Sequence, residues 1–155
     1  MNLILERTAR VPYFTDMRLV LAALGISATA FDWYLSDLEI NLCIEEFPSG
    51  DRWISGEDLQ CILERNEIQF IWAVFSACPK GSRWEVSDGP YADGNRDYWT
   101  ELEVKPQLPG ALFEIACWDS SATILVGLPP EAEASFQIAF PEAKPLASPA
   151  RRGAG

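Results

Sequence analysis

Residues 111–128 hold two apolar stretches separated by a short polar turn, and they restrict the fold more than any other part of the chain. Apolar side chains occupy every second position before the turn and again after it, at Phe113, Ile115, Cys117, Ala122, Ile124 and Val126. This period of two predicts a β-hairpin with one face on a core. The second arm is apolar at nearly every position, which is typical of a strand covered on both faces. We therefore expect it inside a sheet.

The rest of the chain predicts a single α+β domain over residues 1–146 and a flexible tail over 147–155. Helices are predicted where Thr15 can cap an amphipathic stretch that ends at Gly25, after the capping residue Ser55, and after Pro130. Their alternation with strand patterns predicts a mostly antiparallel sheet of about six strands, with two to three helices packed on one face.

The strand patterns carry two specific expectations. Residues 31–44 change the parity of their apolar positions, which predicts a bulge or tight turn near Ser36 and Asp37. Residues 68–76 are apolar almost throughout and predict a central strand. A long loop is expected over 79–96 and a strand over 98–104. Three strand tryptophans, Trp33, Trp72 and Trp118, are candidates to reach the face opposite the helices.

The charge balance restricts the partners. Asp and Glu number 23 against 12 Lys and Arg, a formal net charge of −11. Such a field repels phosphate backbones and anionic membrane surfaces, so we expect neither direct nucleic-acid binding nor membrane binding. A basic protein would instead be steered toward this chain.

The chain has no histidine. This excludes Ser-His-Asp and Cys-His catalysis and His-containing zinc sites. The four cysteines show no C-x-x-C pair and are interpreted as free thiols in a reducing cytoplasm. Cys117 has carboxylates at Glu114 and Asp119 for neighbours, which disfavour a thiolate, so it is interpreted as structural. We expect a non-enzymatic chain without a cofactor.

Two acidic patterns are similar to metal sites. Residues 93–97 have the D-x-N-x-D spacing that begins a calcium loop, but Tyr98 and Val104 stand where that loop needs Gly and Glu. Asp37 and Glu39 project from one strand face and Glu45 and Glu46 follow, a pattern equally typical of a solvated surface. No metal is predicted at either place.

The candidate binding residues combine these acids with aromatic side chains in polar segments. Exposed tryptophan beside carboxylates suits an interface anchor, although tryptophans at the rim of a core show the same pattern. The acids would steer a basic partner and the aromatic rings would anchor it. The candidates are Asp37, Glu39, Glu45, Glu46, Asp51, Trp53, Trp84, Tyr91 and Trp99.

Four segments carry a family resemblance: FDWYLSDLEI at 31–40, ISGEDL at 54–59, FIWAVFS at 70–76 and EIACWDSS at 114–121. Through them most of residues 30–146 resembles small single-domain bacterial proteins of uncharacterised function, some of which are similar to immunity proteins that neutralise polymorphic toxins. The resemblance implies a cytoplasmic inhibitor that occludes the active site of a toxin and has no chemistry of its own.

Two other functions remain open at this point. The face of the sheet without helices could form a pocket for a small molecule or for carboxylate-based catalysis, with Glu114, Asp37 and Tyr34 as its polar groups. The chain could also be a structural subunit of a larger assembly, which would expose a wide apolar patch. The sequence leaves the oligomeric state open.

Overall fold

A computed structural model describes residues 1–6, 8–42, 44–45, 47, 50–100 and 103–146. The secondary structure consists of strands and helices in the order β1 (Leu3–Leu5), α1 (Met17–Leu24), β2 (Phe31–Ile40), β3 (Arg52–Ser55), α2 (Gly56–Arg65), β4 (Phe70–Pro79), α3 (Asp97–Thr100), β5 (Phe113–Trp118), β6 (Ala122–Val126), α4 (Pro130–Ala139) and β7 (Lys144–Pro145). The predicted tail at 147–155 lies outside the described residues.

The strands form one seven-stranded sheet in the order β3-β2-β4-β5-β6-β1-β7, and its strand pairs are antiparallel. The α+β class is confirmed, with one strand more than the predicted six. The predicted hairpin is β5 and β6, which lie inside the sheet, and β4 is central, as predicted. β1 is second from an edge, because the two-residue strand β7 pairs with its outer side.

The three longer helices pack on one face of the sheet. α1 buries the predicted stripe that includes Met17, Val20 and Leu24 and ends at Gly25, which has φ +69°. Its N-cap is Asp16 and not Thr15, because the Asp16 carboxylate accepts the N–H of Arg18 at 3.0 Å while Thr15 is buried below it. In α2 the predicted Ser55 cap is confirmed, with its hydroxyl accepting the N–H of Asp58 at 3.1 Å.

The predicted bulge lies in β2 at Asp37, which has φ +53°. Before it, Trp33 and Leu35 point to the helix-covered core, and after it Leu38 and Ile40 pack against that same core. Because one residue is inserted at the bulge, the apolar side chains of both halves of β2 face the helix-covered core. This also shows that the suggested position of Trp33 on the other face is wrong, because the ring is fully buried on the helix side and donates its indole N–H to Ala28.

The other face of the sheet is covered by the chain itself. Residues 80–112, named the cover segment below and described except at 101 and 102, contribute Ala92 and Tyr98 to a cluster over Val74, Ala116 and Ile124. The predicted strand over 98–104 is wrong. Asn95 Oδ1 accepts the N–H of Asp97 at 2.9 Å and starts the short helix α3, so turn chemistry prevails over the β propensity of Tyr98 and Trp99.

Gly56, the first residue of α2, provides a test of this packing. A Cβ there would overlap the carbonyl oxygen of Ala28 and lie 2.5 Å from that of Phe31. Both obstacles are backbone atoms, so Gly56→Ala should lower the free energy of unfolding in urea by about 2 kcal/mol or more, as overpacking does. The usual Gly-to-Ala effect in a helix has the opposite sign.

Cys61→Ala on the exposed side of the same helix is the matched control, with an expected change within about 0.5 kcal/mol. A Gly56→Ala protein as stable as the wild type would contradict the close contact between α2 and the turn at residues 28–31.

Candidate functional site

Carboxylates on the sheet hold the cover segment at three places, and the first is Asp32 in β2. This residue is 6% exposed, and its carboxylate accepts the N–H of Gly81 at 2.9 Å, with an Arg83 guanidinium nitrogen 3.5 Å away. Burial alone would raise the pKa of this carboxyl, but the Gly81 N–H and Arg83 together hold the pKa below its usual value. The start of the cover segment is thereby tied to the face of the sheet.

The second attachment is at the bulge. Asp37 Oδ2 accepts the backbone N–H groups of Ala92 and Asp93, both at 2.9 Å. The Asp37 N–H is donated in turn to Asp51 Oδ1 at 3.1 Å. A Cβ on Gly89 would overlap the Asp51 carboxylate, so a larger residue at position 89 would require that side chain to move.

The third attachment is Glu114 in β5, which has no exposed surface. Its carboxylate accepts the hydroxyl of Tyr98 and, at 2.5 Å, the backbone N–H of Gln107. The Gln107 amide also donates to the Tyr98 hydroxyl at 2.6 Å and exchanges hydrogen bonds with the backbone of Tyr91 at 3.0 Å. Two parts of the cover segment, at Tyr98 and Gln107, thus meet at one buried carboxylate, and Gln107 connects them to Tyr91.

Burial governs the acid–base behaviour of this network. It raises the pKa of Glu114 although Tyr98 and Gln107 stabilise the anion. The pKa of Tyr98 is also raised, first by burial and then by the neighbouring carboxylate. No salt bridge to Glu114 occurs among the described residues. Glu114 and Tyr98 are closed to solvent, whereas Gln107 is partly exposed at the outer side of the network.

Aromatic rings complete the attachment beside β3. The Trp53 ring packs edge-on against Tyr34 and Trp84 with centroids 5.2 and 4.9 Å away, and its indole N–H is donated to the Trp84 carbonyl at 2.9 Å. Trp84 rests on Gly110 at the other end of the cover segment. Trp84 is still 36% exposed and Tyr91 49% exposed.

The structure brings five of the predicted binding residues together at this edge of the sheet, namely Asp37, Asp51, Trp53, Trp84 and Tyr91. Glu39 is exposed two residues beyond the bulge, and Glu45 is exposed beyond the end of β2. Glu46 lies outside the described residues. Trp99 lies elsewhere, with its ring 5.0 Å from that of Trp118. Asp37 and Asp51 have a structural role here, because their carboxylates bind backbone N–H groups.

Sequence reasoning missed Asp32, Tyr98 and Gln107, and named Glu114 only as a pocket residue. Nothing in the local spacing connects positions 98, 107 and 114. One signal was available: Glu114 stands between Phe113 and Ile115, next to an arm of the hairpin that was expected inside the sheet. A carboxylate so close to the middle of a sheet would need a hydrogen-bond partner from elsewhere in the chain.

A comparison of the chain with protein-family models, with curated proteins and with solved structures finds no match. The site must therefore be interpreted from its own geometry. In the part of the chain that the structure describes, no three His, Cys, Asp or Glu side chains are grouped to hold a metal ion. The helices described there are also too short or too polar to cross a bilayer.

The calcium-like sequence at 93–97 forms a turn. Asn95 is 2% exposed and uses both ends of its amide internally, accepting from the Asp97 N–H at 2.9 Å and donating to the Tyr91 carbonyl at 3.0 Å. The amide that would have to bind calcium is therefore occupied in holding the loop.

Four surface cavities of about 280 to 500 Å³ are lined by described residues. The largest lies between the N-terminus and residues 103–106, and two others adjoin α1. Asp37, Tyr34 and Glu114 line none of these four. A pocket formed by those three groups, which the enzymatic alternative requires, is not among them.

The cysteines differ sharply in their surroundings, and thiol labelling tests this. Burial raises the pKa of Cys78 to about 11 and that of Cys117 to about 12, whereas Cys61 is exposed. In a Cys43→Ser protein, which removes the one cysteine outside the described residues, we expect one thiol to react rapidly with Ellman's reagent at pH 8. The other two should react only after denaturation. Rapid native labelling of Cys117 would show that the sheet is open at β5.

The buried carboxylate predicts an unusual pH dependence. Because the pKa of Glu114 is raised on folding, the folded protein binds the proton more tightly than the unfolded chain does. The contribution of Glu114 to stability is therefore largest below its unfolded pKa of about 4.3 and falls as the pH rises through the folded value. The wild type should have a higher free energy of unfolding in urea than Glu114→Gln at pH 4.5. This difference should be smaller at pH 8.

Glu131→Gln, which removes an exposed carboxylate on α4, is the control for the loss of one surface charge. If the free energy of unfolding of the wild type exceeded that of Glu114→Gln by more at pH 8 than at pH 4.5, folding would favour the ionised form of Glu114.

Proposed function

We propose that this chain is a non-enzymatic, acidic protein-binding domain whose partner is a basic protein. In its most concrete form it is a cytoplasmic inhibitor of a basic toxin or nuclease, as the resemblance to immunity proteins implies. The observation that carries the proposal is the edge of the sheet at the bulge, where exposed carboxylates and exposed aromatic rings are held on a fixed backbone.

The carboxylates of this edge, named the acidic edge below, are Asp37, Asp51, Glu85, Asp88 and Asp93. Within the described residues none of the five takes part in a salt bridge, while Lys80 and Arg83 nearby pair with Glu57 and Asp32. Glu85, Asp88 and Asp93 are exposed. The negative charge of the edge is thus left to act on an approaching partner.

The exposed rings supply the contact area. Trp84 and Tyr91 lie in the same stretch of the cover segment as these acids. Rigid aromatic side chains lose little conformational entropy on binding and are common anchors of interfaces. Trp53, which the sequence also suggested as an anchor, supports Trp84 from below, because its ring and indole N–H are both engaged with that residue.

The backbone of the edge is already ordered in the free chain. Hydrogen bonds from Ala92 and Asp93 to Asp37, and from Tyr91 to Gln107, hold it on the sheet. Such preorganisation lowers the entropic cost of association. It favours a binding surface of defined shape, as an inhibitor that blocks an active site needs.

Affinity capture with two charge-reversal variants tests the proposal. The edge variant carries Glu85→Lys, Asp88→Lys and Asp93→Lys, and the control variant carries Asp58→Lys, Glu64→Lys and Glu131→Lys on exposed positions of the helices. Both change the net charge equally. We expect wild type and control to retain one basic protein in stoichiometric amount from lysate of the native organism, and the edge variant to bind it at least about tenfold more weakly.

With the purified partner, the association rate should fall as salt is raised. Equal retention by the edge variant and the wild type would remove the acidic edge from the interface. An association rate that did not change with ionic strength would refute electrostatic steering. Circular dichroism of both variants is the control that they are folded.

A further inference from the structure

The buried carboxyl of Glu114 is connected to the acidic edge by a continuous chain of hydrogen bonds. Glu114 accepts the backbone N–H of Gln107 at 2.5 Å. The side-chain amide of Gln107 then binds both backbone groups of Tyr91, accepting its N–H and donating to its carbonyl, each at 3.0 Å. Tyr91 stands between the acidic residues Asp88 and Asp93 of the edge. A displacement of Gln107 at the buried carboxyl is therefore passed on to the binding surface.

The neighbours of Glu114 offer hydrogen bonds but no positive charge. On the sheet, its cross-strand neighbours are Ser76 of β4 and Val126 of β6, and neither is charged. The cover segment presents the neutral side chains of Tyr98 and Gln107. Among the described residues, no Lys or Arg pairs with this carboxyl. A carboxyl with no exposed surface and no cation beside it retains its proton more strongly than a carboxyl in water does, because ionisation would leave a charge in the protein interior.

The other titratable groups around this network ionise far from neutral pH. Burial raises the pKa of the thiols on the two adjoining strands, to about 11 for Cys78 and to about 12 for Cys117. The pKa of Tyr98 is raised above its ordinary value as well, and the chain has no histidine. Because burial raises the pKa of Glu114 from a starting value on the acid side, a rising pH removes the proton of Glu114 first.

An ionised Glu114 would need water, and the cover segment is the side from which water can reach it. On the sheet, β5 is paired with β4 on one side and with β6 on the other. Gln107 is partly exposed at the outer side of the network and lies in a stretch without helix or strand. Such a stretch opens at a lower free-energy cost than paired strands do. A local displacement at Gln107 would hydrate the charge and would also free the backbone of Tyr91.

We propose that the Glu114 carboxyl is a proton-dependent latch that regulates the acidic edge. In its protonated form the latch holds Gln107 and, through it, Tyr91 in the arrangement that meets the partner. In its ionised form it releases this part of the cover segment, and the basic partner is bound more weakly. The inference rests on the proposed function, because the release affects binding only if the acidic edge is the binding surface.

Amide hydrogen exchange of the ¹⁵N-labelled full chain between pH 5 and pH 9 tests the latch without a partner. Dividing the intrinsic exchange rate at each pH by the measured rate gives a protection factor for each amide. We expect the protection factors of Tyr91 and Gln107 to fall at least about tenfold as the pH rises through the folded pKa of Glu114. The Gly81 amide is the internal control and should change by less than about twofold, because the carboxyl of Asp32 that binds it has a lowered pKa.

Two matched variants locate the effect. Glu114→Gln keeps the size of the side chain but cannot ionise, so the protection factor of Tyr91 should remain within about twofold from pH 5 to pH 9. Glu131→Gln removes an exposed carboxylate on α4 and should show the same fall as the wild type. If Glu114→Gln does not fold, the ¹³C signal of the Glu114 carboxyl in the wild type decides the matter. Its titration midpoint should coincide with the midpoint of the fall in protection.

Three results would overturn the latch. The protection factor of Tyr91 could stay constant with pH in the wild type, or it could fall equally in Glu114→Gln. An equal fall at Gly81 would also contradict the proposal, because the whole cover segment would then loosen together.

With the purified partner, the dissociation constant of the wild type should rise more between pH 5 and pH 9 than that of Glu114→Gln. An equal rise would show that the latch does not act on binding. The charge-reversal experiment leaves Glu114 and Gln107 unaltered, so the two ideas fail separately. Constant protection factors together with weaker retention of the edge variant would refute only the latch. A working latch together with equal retention of the edge variant would remove only the acidic edge from the interface.

Discussion

The bulge at Asp37 is the constraint on which the rest of this structure depends. By inserting one residue into β2, it allows Trp33 and Leu35 before it and Ile40 after it to face the same helix-covered core. Its positive φ also points the Asp37 carboxylate at the cover segment, where the N–H groups of Ala92 and Asp93 are bound. Asp37 thus determines which side chains of β2 face the core and also the path of the cover segment.

Part of the excess of Asp and Glu residues has a structural role, because several of their carboxylates bind backbone N–H groups. Asp32, Asp37 and Glu114 each accept backbone donors from the cover segment. An irregular segment leaves many N–H groups without a partner in secondary structure, and a carboxylate on the sheet is a strong acceptor for them. Asp37, which the sequence suggested as a binding residue, holds the cover segment in place. The exposed acids at this edge are instead Glu85, Asp88 and Asp93 of the cover segment.

Local patterns predicted the hairpin of β5 and β6, the central strand β4 and the phase change at Asp37, because each depends on side-chain alternation within a few residues. The short helix α3 was not predicted, since its N-terminus depends on the Asn95 side chain and its position on the hydrogen bond from Tyr98 to Glu114. The contacts among positions 98, 107 and 114 join residues that sequence spacing does not connect. The same limit applies to the cluster of Trp72, Trp99 and Trp118, which depends on strand register and on α3 together.

Glu39 lies between the acidic edge and the indole rings of Trp72, Trp99 and Trp118. It follows the bulge at Asp37, and it is the cross-strand neighbour of Trp72, whose ring packs against that of Trp118. Had β2 continued without the bulge, the parity of its later residues would be reversed and Glu39 would point into the helix-covered core, where a carboxylate without a partner is costly. The bulge therefore keeps this carboxylate at the surface between acids and indoles.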